Sequence, residues 1–163
     1  MADETLTIYG TPSEVTIPLT GLANGDAAVS AAISAATGTA YFDRFLFQMT
    51  VTGNASSAPT DDTLISVYLS RKIGSLYDGN IPDPDTTGHV ISGDAEVENM
   101  ERTCEALKAV AVQGDATSEA YITSYLVDTP GPTFALTVSN HTAQALLDGT
   151  MTYYPIANQY QAS

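Results

Sequence analysis

Apolar residues along this chain recur mostly at every second position, in short runs separated by residues that turn a backbone. The runs are Leu6 and Ile8; Val15, Ile17 and Leu19; Phe45, Phe47, Met49 and Val51; Leu64, Ser66 and Tyr68; Val110 and Val112; Tyr121, Thr123, Tyr125 and Val127; and Phe134, Leu136 and Val138. A period of two sets one side of a run against a core and leaves the other side outside, which is how strands read. Between the runs lie Gly10 to Ser13, Ala23 to Asp26, Thr52 to Asp62, Tyr77 to Gly88, Gly114 to Thr117 and Thr129 to Pro132. Their Gly, Asn, Asp and Pro residues supply the backbone angles that reversals need. Threonine, present 22 times, joins Val, Ile, Tyr and Phe in favouring a pleated surface over a helix. The pattern predicts an all-β fold, a two-sheet jelly-roll sandwich of about eight strands, with residues 1–163 forming a single domain with short N- and C-terminal arms. An immunoglobulin-like Greek-key sandwich competes, although such domains need only about 100 residues.

Two stretches depart from alternation. Ala27 to Ala36, rich in alanine, predicts one or two helical turns ending before Gly38. From Glu96 to Lys108, Val97, Met100, Cys104 and Leu107 recur at helical spacing, with Glu98 four residues before Arg102. That predicts a short helix, against the alternative of a strand from near Glu105 through Val112.

Charge narrows the function classes. Nineteen acidic against five basic residues give a net charge of −14. A surface of that sign repels phosphate backbones and anionic headgroups, so neither nucleic acid nor a membrane is expected as a partner. The acidic start Met1-Ala2-Asp3-Glu4 predicts no signal peptide, and no apolar run approaches the roughly 20 residues a membrane span needs. The single cysteine, Cys104, has no partner for an internal disulfide.

The chemistry-bearing residues are sparse. His89 and His141, the only histidines, fall in no HxxE or HExxH pattern, so no transition-metal site is expected. Cys104 lies between Arg102 and Glu105 without a residue that marks an activating base, and reads as a small core residue. Asp78, Asp83 and Asp85 fall close together with Asn80 and form the weak calcium candidate. The segment lacks EF-hand spacing and holds Pro82 and Pro84, which favours a plain exposed turn. No glycine-rich loop precedes a helix, no nucleophile motif is present, and tryptophan is absent. These readings predict no cofactor and no catalytic residue.

The C-terminal run Thr152-Tyr153-Tyr154-Pro155-Ile156-Ala157-Asn158-Gln159-Tyr160 is different. Alternation turns one of the adjacent tyrosines inward and the other outward. Tyrosine and aliphatic residues beyond Pro155 exceed what a monomer needs, so Tyr154, Ile156 and Tyr160, with Leu6 and Ile8 from the other terminus, are the interface candidates.

Taken in order, Ile8-Tyr9-Gly10, Leu22-Ala23-Asn24-Gly25, Tyr41-Phe42-Asp43 leading to Val51, Val67-Tyr68-Leu69-Ser70 and Tyr77-Asp78-Gly79 make a pattern, which continues through Phe134 to Asn140 and Gly149 to Ile156. It resembles the small jelly-roll virion proteins of tailed bacteriophages, the head decoration or cement type. One departure is Ala143, which stands where that pattern carries glycine. The resemblance implies a non-enzymatic homo-oligomer, often a trimer, that binds the major capsid protein or another virion protein on the capsid surface after assembly in the host bacterial cytoplasm. The alternative is a tail- or head-surface module that recognises a host carbohydrate or receptor.

Overall fold

The computed structural model describes residues 4–37, 40–53, 63–82, 87–112, 120–128 and 130–161. Eight strands carry the architecture: β1 (Glu4–Tyr9), β2 (Ala27–Val29), β3 (Arg44–Thr52), β4 (Thr63–Ile73), β5 (Glu105–Val112), β6 (Ala120–Asp128), β7 (Thr133–His141) and β8 (Asp148–Gln161). One α-helix, α1, spans Asp94–Thr103. The strands pair antiparallel in two sheets, one in the order β1-β8-β3-β6 and the other in the order β2-β7-β4-β5, with the short strand His89–Ile91 at the outer edge of β2. This interleaving, 1-8-3-6 over 2-7-4-5, is the jelly roll, and it excludes the immunoglobulin-like order. Among the described residues no helix is long and apolar enough to cross a membrane.

The core lies between the sheets. Phe45, Phe47, Met49 and Val51 alternate inward along β3, and Tyr125 and Val127 of β6 and Met151 of β8 flank them. Facing them from the other sheet are Ile65, Val67 and Leu69 of β4 and Phe134, Leu136 and Val138 of β7, all at 0% exposure. Phe45 meets Phe134 edge-on with ring centroids 5.1 Å apart, and Phe47 stacks on Tyr125 at 5.5 Å. Such pairs add directional preference to area burial; Phe45 with Phe134 does so between the sheets, and Phe47 with Tyr125 between neighbouring strands of one sheet.

Several expectations are corrected. Ala27 to Ala36 is not helical: Ala27, Ala28 and Val29 form β2, fully buried, and Ile33–Ser34 pairs with β7. Pairing with β7 on one side and His89–Ile91 on the other holds Ala27–Val29 extended, and those contacts override a weak helix propensity. On β4 the inward stripe is Ile65, Val67 and Leu69, not Leu64, Ser66 and Tyr68; Leu64 is 41% exposed. Val15, Ile17 and Leu19 belong to an irregular segment, with only Ser13–Glu14 paired as strand; Val15 and Leu19 still enter the core. The helix and its rival both occur, in succession: α1 ends at Thr103, Cys104 turns extended, and β5 starts at Glu105.

At the end of β7 the buried Asn140 uses its whole amide. Its Nδ2 donates to the carbonyls of Leu22 (2.9 Å) and Gln144 (2.8 Å), and its Oδ1 accepts from the backbone N–H of Thr142 (3.1 Å) and the Thr142 hydroxyl (2.8 Å). Within this turn Ala143 takes φ 64°, and among the described residues it is the one non-glycine in that region. Alanine thus adopts the left-handed geometry that glycine would supply freely, at a steric cost of about 1–2 kcal/mol.

Candidate interaction face

The two sheets are finished differently on their outer sides. Outside β2, β7 and β4 many residues are small, with Ala27, Ala135, Ser70 and Ser139 all at 0% exposure, beside the larger Val29 and Tyr68. Small side chains leave room for a covering element, and α1 lies there. Val97 and Met100, three apart on one side of the helix, pack with Cys104, Tyr77 and Ile81 against Val29, Tyr68 and Ala135. Acidic residues in the first turn of α1 and Arg102 in the last suit the helix dipole, and Arg102 pairs with Glu98 one turn earlier.

This covered region places most of the chemistry-bearing residues. The Cys104 thiol lies 3.3 Å from the Ser70 hydroxyl and 3.4 Å from the Asp78 carbonyl. Burial pushes the thiol above its ordinary value; the Ser70 hydrogen bond pulls it down, and the Asp78 charge adds to the rise. That is the electrostatics of a structural thiol rather than an activated one. Burial likewise raises the Tyr68 hydroxyl, with Glu101 nearby adding to it. Asp78 accepts a hydrogen bond from the Arg71 backbone N–H at 3.3 Å, a turn-stabilising role; Asp83 and Asp85 lie outside the described residues. Among the described residues no three His, Cys, Asp or Glu side chains gather as a metal site.

His141 Nε2 sits 2.6 Å from Glu101 Oε1, tying the end of β7 to α1. Sequence reading missed this pair because the partners are 40 residues apart. The pair borders a cavity of about 330 Å³ with Asp94 and Glu98, while His89 lines another of about 350 Å³ with Glu96 and Asn99.

The outer side of the first sheet is built the other way. Register places Tyr154 of β8, Leu46 of β3 and Leu126 of β6 in one cross-strand row. The next rows are Thr152, Gln48 and Ser124, then Thr150, Thr50 and Ile122. None of these residues is charged. Charge appears only at the margins, with Asp148 at one end, Arg44 and Asp128 at the other, and Glu14 beside Thr152. In a chain with 19 acids, this face carries three among its described residues. Ile122 is 65%, Leu126 46%, Leu46 37% and Tyr9 69% exposed.

The interface candidates divide accordingly. Tyr154 is half-buried on the outer face. Ile156 shares that side, set in register between Tyr9 and Arg44, but at 8% exposure it adds little outer surface. Ile8 pairs with Ala157 on the inner side and is half-buried. Leu6 and Tyr160 are described by register alone, opposite Gln159 and Thr5. Leu46, Ile122 and Leu126 went unrecognised, although the alternation that sends Phe45, Phe47, Tyr125 and Val127 inward also sends them outward.

Strand order, core and topology define this chain as a jelly-roll β-sandwich. No family model and no curated protein matches its sequence. Among solved structures it is similar to the C-terminal carbohydrate-binding module (CBM6) of LamC, a marine laminarinase from Zobellia galactanivorans, at 11% identity and a TM-score of 0.37, over 94% of this chain and 99% of that one.

Proposed function

We propose that this chain is a non-enzymatic structural subunit that works by surface association, and that, as its resemblance to jelly-roll proteins of tailed-phage heads implies, it decorates or cements a virion lattice as a homo-oligomer. The observation that carries the reading is the outer face of the β1-β8-β3-β6 sheet, apolar and hydroxyl-bearing at its centre and charged only at its margins. Association faces carry that anatomy, with charge depleted at the centre and polar groups around it. The acidic remainder suits a protein displayed in many copies close together, because like charge keeps it soluble and discourages adsorption of nucleic acid.

Co-sedimentation with phage heads tests the reading. The full chain is expected to pellet with heads stripped of their accessory proteins, and a Leu46→Glu, Leu126→Glu variant is expected to stay in the supernatant. Binding of the purified chain to a glycan array, with no binding to heads, would instead support the recognition module.

A further inference from the structure

We infer that the open face of the β1-β8-β3-β6 sheet meets a second copy of this chain, sheet against sheet, in a two-fold pair. The inference rests on the association reading above and names the partner at that face. Three observations select it.

The first is charge. Two molecules of net charge −14 repel, so they can approach closely only where the acids are missing. The rows through Leu46, Gln48 and Thr50 are such a place, because no charged residue lies in them on β8, β3 or β6. The same lack argues against a basic partner, which would be drawn to the acidic remainder of the surface and would find no carboxylate at the centre of this face.

The second is shape. The residues here are Leu, Ile, Thr, Ser, Gln and Tyr on a regular antiparallel ladder, without a bulge recorded in either pairing of β3. Two such sheets pack face to face about 10 Å apart with strands offset by about 30°, the arrangement each sheet already has with its partner inside a sandwich.

The third is area. β3 pairs over its nine residues with both neighbours. Strands β1, β8, β3 and β6, of 6, 14, 9 and 9 residues, at about 3.3 Å per residue and about 4.8 Å apart, give roughly 600 Å² of face over their staggered lengths, before side-chain relief is added. That approaches the roughly 800 Å² per partner of a standard stable interface.

A face that meets its own copy is isologous, so the unit is a pair and not a ring. Association of like-charged copies strengthens as salt screens them, whereas attachment to a basic partner weakens. Sedimentation velocity of the full chain from about 1 to 200 µM, at about 50 and 500 mM NaCl, reads both features. The expected result is a monomer–dimer equilibrium with more dimer at high salt. Leu46→Glu with Ile122→Glu should weaken it by tenfold or more, roughly the loss of one interface anchor. Leu76→Glu, at an exposed residue outside this face, should leave it unchanged, and circular dichroism should show all variants folded.

A monomer throughout, a three-copy species, a dimer indifferent to the face substitutions, or one that dissociates in high salt would each overturn the inference. Head binding by a chain that stays monomeric would leave the functional reading standing and sink this one. Dimers that ignore heads would do the reverse.

Discussion

Outside β2, β7 and β4 alanines and serines stand beside Val29 and Tyr68 and a helix lies on them, while outside β8, β3 and β6 the side chains include Leu46, Ile122, Leu126 and Tyr154 and no described element covers them. Side-chain size on the outer rows decides whether a sheet can receive a piece of its own chain. Alanine and serine let a helix settle close to the backbone, and Val97 and Met100 then bury against Val29, Tyr68 and Ala135. The covered face therefore contributes to the stability of one molecule. The open face contributes little to it.

The contrast yields graded expectations. Met100, at 0% exposure under α1, should cost about 2–5 kcal/mol when replaced by alanine, read from urea unfolding. A loss well below that range would mean the helix is not integral to the covered face. Gly79, at φ 81°, sits where an added Cβ would come 2.6 Å from the Cys104 sulfur. Gly79→Ala should lower stability by about 1–2 kcal/mol from the left-handed backbone, with the clash adding to it. An unchanged melting temperature would show that the turn under α1 can shift, and would loosen the description of that face.

The interior offers a pH test. Burial pushes the Tyr125 hydroxyl well above its ordinary value of 10.0, so the folded state keeps its proton where the unfolded chain has lost it. The stability linked to Tyr125 is complete below pH 10 and declines as pH rises toward the folded value, by about 1 kcal/mol at pH 11. Tyr125→Phe should flatten that alkaline decline in thermal melts, and an equally steep decline in the variant would assign it to other groups. The smallest effect is expected on the open side: Ile122→Thr or Leu126→Thr should shift the stability of the monomer by no more than about 0.5 kcal/mol. A loss of several kcal/mol at either site would show that this face is structural after all, and would erase the contrast.

Legibility in the sequence followed the range of each interaction. Alternation in Phe45 to Val51, in Tyr125 and Val127 and in Phe134 to Val138 exposed the sandwich, because a strand's side-chain period depends only on its own residues. Helical spacing exposed Val97 and Met100 for the same reason. Ala27 to Ala36 misled, because alanine favours a helix locally while the pairing that holds Ala27–Val29 extended comes from β7, far along the chain. Pro155 stands inside β8, although proline is rare within a strand. It lies where β1 and Ser13–Glu14 leave a gap in their pairing with β8, and its carbonyl accepts from Gly10 N–H at 2.8 Å, so the missing N–H is no loss. Of the side chains that form the open face, local alternation near the C-terminus marks Tyr154 and Ile156. The breadth of that face comes from three strands brought side by side, and no local window of sequence holds that.

The position of β8 has a kinetic consequence. It is the last of the described strands, yet it lies between β1 and β3, and β1 pairs with it from Glu4 opposite Gln161 to Tyr9 opposite Ile156. Contacts so far apart in sequence form slowly, since loop closure costs entropy before any pairing compensates it. On the ribosome, where the N-terminal part emerges first, β1 and β3 must wait apart until β8 has been made, with one edge of β3 unpaired. Several nascent chains on one message hold the same unpaired edge close together, and an unpaired strand edge is a template for joining the wrong neighbour. Chaperone occupancy during synthesis should therefore be released late, when β8 closes the sheet.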